Sequence, residues 1–163
     1  MTRADDYEAI RALVHRYSTL VDAGDVAGLG ELFAHGTFAV PGTGTHATGR
    51  DEAERIFGRS LRYHEDGTPQ TMHLVGNLVI DLDGTATVAT AQSYTAVFQG
   101  TRTLPLQVIL TASYADTFAK ADGEWRFVER VVTFIHQGDT SEHFVHPLSG
   151  FRIPRPTGER DER

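Results

Sequence analysis

Thr71-Met72-His73-Leu74-Val75-Gly76-Asn77-Leu78-Val79-Ile80-Asp81 is the stretch from which the rest of the chain can be placed. Its valines, isoleucine and leucines, uninterrupted by proline, mark a strand. Strict alternation sets Met72, Leu74, Leu78 and Ile80 on one face and His73, Val75, Asn77 and Val79 on the other. Both faces are largely apolar. The expectation is a strand buried on both sides, with His73 and Asn77 as polar groups in an apolar space. A lone histidine on such a strand is more often a satisfied core residue than a catalyst, and a partner would reverse that weighting.

Three further strand-like runs follow, Thr85–Gln99, Leu104–Ala119 and Glu124–Gln137. Asp83-Gly84 between the opening run, Thr71–Leu82, and Thr85–Gln99 is a hairpin signal, so the strands are expected to be consecutive and antiparallel. Strands of about a dozen residues exceed the usual length and must twist and curl. Upstream the pattern is helical. Ile10, Leu13, Val14, Tyr17, Leu20 and Val21 recur at threes and fours between Ala4 and Ala23, with Thr2 and Asp5 as a capping signal and Gly24 as the stop. Asp25 opens a shorter helix with Leu29, Leu32 and Phe33 on one side. Thr37 to Val40 is extended, and the glycine-rich PGTGTHATG reads as a flexible loop. It lacks both the Gly-Lys-Ser/Thr ending and the dinucleotide fingerprint of a nucleotide site. Arg50 to Leu61 forms a third helix, with Ala53, Ile56, Phe57 and Leu61 as its apolar side. The prediction is one α+β domain over residues 1–137, a curved and mainly antiparallel sheet whose open side is closed by helices around a hydrophobic pocket. Residues 138–163, with Pro147, Pro154, Pro156 and a charged GERDER ending, read as an extended arm and a disordered tail.

Composition narrows the function. A chain of 163 residues with a formal charge of −7 and no basic run is unsuited to nucleic acid. It has no cysteine, hence no thiolate nucleophile or disulfide framework. The acidic N-terminus and the lack of any span-length apolar run point to a soluble, cytoplasmic protein without a membrane partner. Lys120, the sole lysine, sits in a polar turn. The string Glu142-His143-x-x-His146 has ligand-like spacing, but it meets Pro147 without a helical stripe, so no metal site is expected. No cofactor fingerprint is present, and none is expected to be needed.

The helix ending VDAGD, the short second helix, the GRDEA helix start, the strand MHLVGN and the hairpin DGEWRFVERVV together resemble the nuclear-transport-factor-2-like, SnoaL-type cone fold, from about Asp5 to Phe134. That fold hosts enzymes, binding modules and structural subunits. In its scytalone dehydratase and dehydrochlorinase branch, an aspartate at the end of the first helix pairs with a histidine at the start of this strand. The resemblance carries those roles to Asp22 and His73. Periodicity alone places Asp22 roughly 130° from the centre of the apolar stripe, on the helix flank. A carboxylate beside an imidazole fixes its tautomer and makes it a better base for an activated proton. Two positions depart from the branch: Val21 stands where scytalone dehydratase has a tyrosine, and Phe98 corresponds to its second histidine, so scytalone is not the expected substrate.

The same resemblance turns Tyr94, with Thr90, Ala96 and Phe98, toward the pocket. It gives Arg130 the task of binding an enolate or leaving anion, beside the alternative that Arg130 pairs with a carboxylate across the sheet. Tyr17 lies on the apolar stripe, where its hydroxyl can reach the cavity. Phe33, Phe57, Phe98, Val75 and Asn77 are the expected pocket residues. What this implies is a small cofactor-independent lyase or isomerase, of dehydratase or cyclase type, acting on a hydrophobic cyclic or polyketide-like molecule. The alternatives are a non-catalytic binding or assembly module and the small subunit of a ring-hydroxylating dioxygenase. Substitution of His73 by Ala or of Asp22 by Asn is expected to abolish turnover without moving the melting temperature. Apolar residues on both sheet faces point to a homo-oligomer, a trimer rather than a dimer.

Overall fold

In a computed structural model, which describes residues 2–146, Thr2 caps helix α1 (Arg3–Ala23) through reciprocal bonds. Its hydroxyl accepts the Asp5 N–H, and the Asp5 carboxylate accepts the Thr2 N–H. Ile10, Val14, Tyr17 and Val21 form the buried stripe. Gly24 ends the helix at φ 69°, and a Cβ there would strike the carbonyl of Gly67, so only glycine suits the site. Asp25 then caps α2 (Val26–Leu32) by accepting the Gly28 N–H, and α3 (Gly49–Ser60) follows the first two strands.

The strands are β1 (Thr37–Val40), β2 (Thr45–Thr48), β3 (Thr71–Leu82), β4 (Val88–Gln99), β5 (Gln107–Ala121) and β6 (Glu124–Gln137). They form one curved sheet in the order β2-β1-β6-β5-β4-β3. The last four make the expected antiparallel meander, while β1 joins parallel to β6. One face packs against the helices: Ile10, Val14, Leu29, Phe33 and Phe57 share a core with Ala89, Ala112, Phe118 and Phe127. The architecture is α+β. Among the described residues no helix is long and apolar enough to cross a membrane.

Three local expectations are corrected. The glycine-rich loop after Pro41 contains β2: Gly42 and Gly44, at φ 82° and 75°, turn the chain so that Thr45–Thr48 pairs with β1. Secondly, β3 is not buried on both sides but is an edge strand, with Met72 and Leu74 more than half exposed. Thirdly, its alternation is broken. One extra residue sits between Gly76 and Val79 relative to β4, and Asn77 adopts φ 52°. This is a β-bulge, a place where asparagine is tolerated better than most residues. Beyond it Leu78, Ile80 and Leu82 face inward with His73 and Val75, and Asn77 is exposed.

After β6 the chain turns back. Phe144 bridges Leu61, the Arg62 N–H donates to the His143 carbonyl at 2.8 Å, and the Val145 N–H donates to the Ser60 carbonyl at 3.0 Å. This segment is thereby clipped to the end of α3. The disordered tail expected from the prolines and GERDER lies outside the described residues.

Candidate active site

Asp22 occupies the last turn of α1, whose flank lies alongside the start of β3 rather than facing solvent. Its Oδ1 accepts the hydroxyl of Thr71 at 2.8 Å and the Nδ1–H of His73 at 2.6 Å; its Oδ2 accepts the backbone N–H of His73 at 2.8 Å. The carboxylate therefore fixes both the backbone and the ring of His73, whose side chain is 6% exposed against 22% for Asp22. Burial pushes the Asp22 carboxyl up. The ring hydrogen bond and charge of His73, with the bonds from its backbone and from Thr71, outweigh this and hold the group below the usual carboxylate range. An ionised carboxylate at this distance holds a ring proton on Nδ1, so that in the neutral ring the lone pair lies on Nε2.

His73 borders a cavity of about 470 Å³, a size typical of small-molecule sites. Phe38, Phe57, Val97, Leu110 and Phe134 supply apolar wall, and Tyr17, Thr95, Tyr114 and His143 supply polar atoms. Tyr17 is buried, stacks on Phe38 at 6.0 Å, and has its hydroxyl pushed well above the usual phenol range by burial. Phe57 is part of the wall. Phe33 stands behind it, fully buried against Phe38, Phe57 and Phe127, and Val75 packs on the core without lining the cavity.

Four expected site residues lie elsewhere. Tyr94 is 54% exposed and Phe98 shares its outward face, because Ser93, Thr95, Val97 and Gln99 are the residues of β4 that turn inward. The aromatic side chains of this strand are on its outward face and mainly small ones on its inward face, so hydropathy could not set its phase. The inward neighbour of Phe98 is Val97, and it is Val97 that borders the cavity. Asn77 sits on the exposed bulge. Arg130 is wholly buried, with its Nε donating to Asp116 Oδ1 at 2.7 Å and its Nη2 to Asp116 Oδ2 at 2.6 Å. The rings of Tyr17 and Tyr114 lie 4.4 and 4.3 Å from its guanidinium carbon. Arg130 thus braces the two tyrosines from behind and does not line the cavity.

His143 was legible only as part of a metal-like string, and among the described residues no group of three or more His, Asp or Glu is arranged to hold a metal ion. Instead the arm brings this histidine to the cavity wall. The residue is 4% exposed, and its Nδ1 has no hydrogen-bond partner among the described residues. Burial first, and the charge of His73 second, push the ring down to about 3, so it is neutral at ordinary pH. An unpaired buried polar atom costs about 1–3 kcal/mol.

Residues 2–131 match a family of SnoaL-like domains. Among curated proteins, none matches the chain. Solved structures with the same fold include an NTF2-like protein with a cystatin-like fold from Novosphingobium aromaticivorans. It is 25% identical, with 85% of this chain and 87% of that chain aligned and a TM-score of 0.68. A second N. aromaticivorans protein, assigned but not demonstrated as a scytalone dehydratase, is 25% identical over 95% of both chains with a TM-score of 0.67. ActVI-ORFA from Streptomyces coelicolor shares the fold at 20% identity, over 78% of this chain and 96% of that chain, with a TM-score of 0.63.

Proposed function

The chain belongs to the SnoaL-like domain family, and from that premise we propose that it is a cofactor-independent lyase or isomerase in which His73 removes a carbon-bound proton. The observation that carries this reading is the 2.6 Å bond between His73 Nδ1 and Asp22 at the wall of an apolar cavity. Asp22 orients the ring and stabilises the imidazolium as it forms; Nε2 is the basic atom. The bond from carbon to hydrogen breaks, the proton goes to Nε2, and the electron pair becomes a new carbon–carbon double bond. The pair it displaces moves either to a carbonyl oxygen or out with a leaving group such as hydroxide or halide. Dehydration, elimination of HX, isomerisation and cyclisation share this first step. The likeness to the protein assigned as a scytalone dehydratase supports the dehydratase end of that range. The apolar wall favours a hydrophobic cyclic or polyketide-like substrate.

A substrate-independent test is solvent deuterium exchange at the acidic C–H of 2-tetralone in D₂O, followed by NMR. The wild type should accelerate exchange, and His73→Ala should lose about 10²- to 10⁴-fold of that acceleration. Equal rates for the two proteins, or no acceleration by either, would reject the base assignment. We further propose that the chain is a homo-oligomer, with a trimer favoured. Its interface would use the outer sheet face, where Met72, Leu74, Tyr94 and Val108 are exposed on neighbouring strands.

A further inference from the structure

The backbone around His143 is fixed from several directions. The Glu142 carbonyl accepts Gln99 Nε2 at 3.1 Å, the His143 carbonyl accepts the Arg62 N–H, and the His143 N–H donates to the Thr140 carbonyl at 3.0 Å. The ring so held borders the cavity, lies beside Phe144 at 4.4 Å, and is almost completely buried. Yet Nδ1 has no partner among the described residues. Were the position only a plug, an apolar side chain would fill it without an unsatisfied atom. A firmly held imidazole at the wall of the cavity that His73 also borders is instead arranged to meet a polar atom of a bound molecule.

We propose that His143 is a substrate-binding residue whose ring N–H donates to the carbonyl oxygen of a cyclic ketone, the molecule from which His73 takes the adjacent proton. The inference rests on the base assigned to His73 for its reaction, though not for its binding contact. As the C–H bond breaks, its proton passes to His73 Nε2 and its electron pair forms the C=C bond. The carbonyl π pair moves onto oxygen, where the bond from His143 strengthens as negative charge builds. His143 keeps its own proton throughout. Burial, followed by the charge of His73, holds its ring neutral, so it enters as a hydrogen-bond donor and not as an imidazolium acid.

The test compares 2-naphthol, a stable analogue of the enol of 2-tetralone, with naphthalene, the same body without the oxygen. Binding to the wild type is measured by ligand fluorescence, and the histidine rings are observed by NMR after ¹⁵N labelling. The wild type should bind 2-naphthol at least tenfold more tightly than naphthalene, with the His143 ring resonances shifting on 2-naphthol alone. His143→Phe should bring the ratio near one while keeping naphthalene affinity, and His143→Gln, which retains an N–H donor, should restore part of it. An unchanged ratio in His143→Phe, no preference in the wild type, or no shift of the His143 ring would each overturn the proposal. So would loss of the preference in His73→Ala with its retention in His143→Phe, since the oxygen would then sit on the base. If His143→Phe loses the preference while His73→Ala still exchanges 2-tetralone, the binding role of His143 stands and the base assignment fails.

Discussion

Replacing Asp22 with asparagine tests the paired arrangement more sharply than deleting either partner. The carboxylate receives three hydrogen bonds, two at Oδ1 and one at Oδ2. An asparagine has one oxygen. If that oxygen takes the Oδ1 place, the amide NH₂ confronts the backbone N–H of His73. If it takes the Oδ2 place, the NH₂ faces His73 Nδ1 and favours the tautomer with the proton on Nε2, which removes the basic lone pair from the cavity. A hydrogen bond to a charged group is worth about 1.5–3 kcal/mol, and the partial exposure of Asp22 sets the loss near the lower end, about 1.5–2 kcal/mol. For a domain of this length that lowers the melting temperature by about 3–8 °C. The expectation from sequence that Asp22→Asn leaves the melting temperature unchanged is therefore revised: the variant should lose exchange activity by about 10²- to 10⁴-fold and also melt earlier. Calorimetry, the 2-tetralone assay and ¹⁵N NMR of the His73 tautomer read these effects separately. Wild-type activity together with an unchanged His73 tautomer would refute the reasoning.

Arg130→Met should cost about 3–5 kcal/mol in urea unfolding, because it strands the Asp116 carboxylate in the core, and a companion Asp116→Leu should recover much of that loss. A single-variant loss under about 1 kcal/mol would mean that the pair is not buried as described. Asp6, which accepts Lys120 Nζ at 2.7 Å and Trp125 Nε1 at 2.8 Å, is held below its ordinary value of 3.8 chiefly by the bond from Lys120, then by that from Trp125. Asp22 is also lowered. Both pKa values fall on folding, so their stabilisation is fully present above pH 3.8 and is lost as pH descends through the folded values. Asp6→Asn should flatten urea midpoints measured between pH 6 and pH 2, and an unaltered slope would count against the contact. Met72→Glu with Leu74→Lys should yield a monomer by light scattering with the cavity intact, and an unchanged particle mass would exclude the outer face as an interface.

Much of the chain declared itself because local and long-range preferences agree. The α1 stripe, the Gly24 stop and the bounds of β3 and β6 follow from periodicity and turn residues alone. The errors came where two physical demands compete. Thr45–Thr48 has little intrinsic strand character beyond its threonines and becomes a strand because β1 offers a ladder. On β4 the family resemblance turns Tyr94 and Phe98 toward the pocket, and because the outer face is the aromatic one, hydropathy gives no signal against that placement. Asp22 sits on the flank of its own helix, and only the proximity of β3 makes that flank an interior position. His143 is seventy residues from His73, and their approach depends on an arm whose clip to Leu61 and Arg62 has no local sequence signature.

The bulge at Asn77 affects how this protein meets its neighbours. An edge strand carrying Met72, Leu74 and Val79 on its outer face is otherwise a template on which another chain's strand can add. By displacing one residue from the ladder and raising the local twist, the bulge divides twelve residues of edge into two short lengths, neither long enough to seat an incoming strand securely. The homo-oligomer proposed above would then form through the face of the sheet and not along its rim. The difference is between a closed assembly of defined size and an open-ended stack.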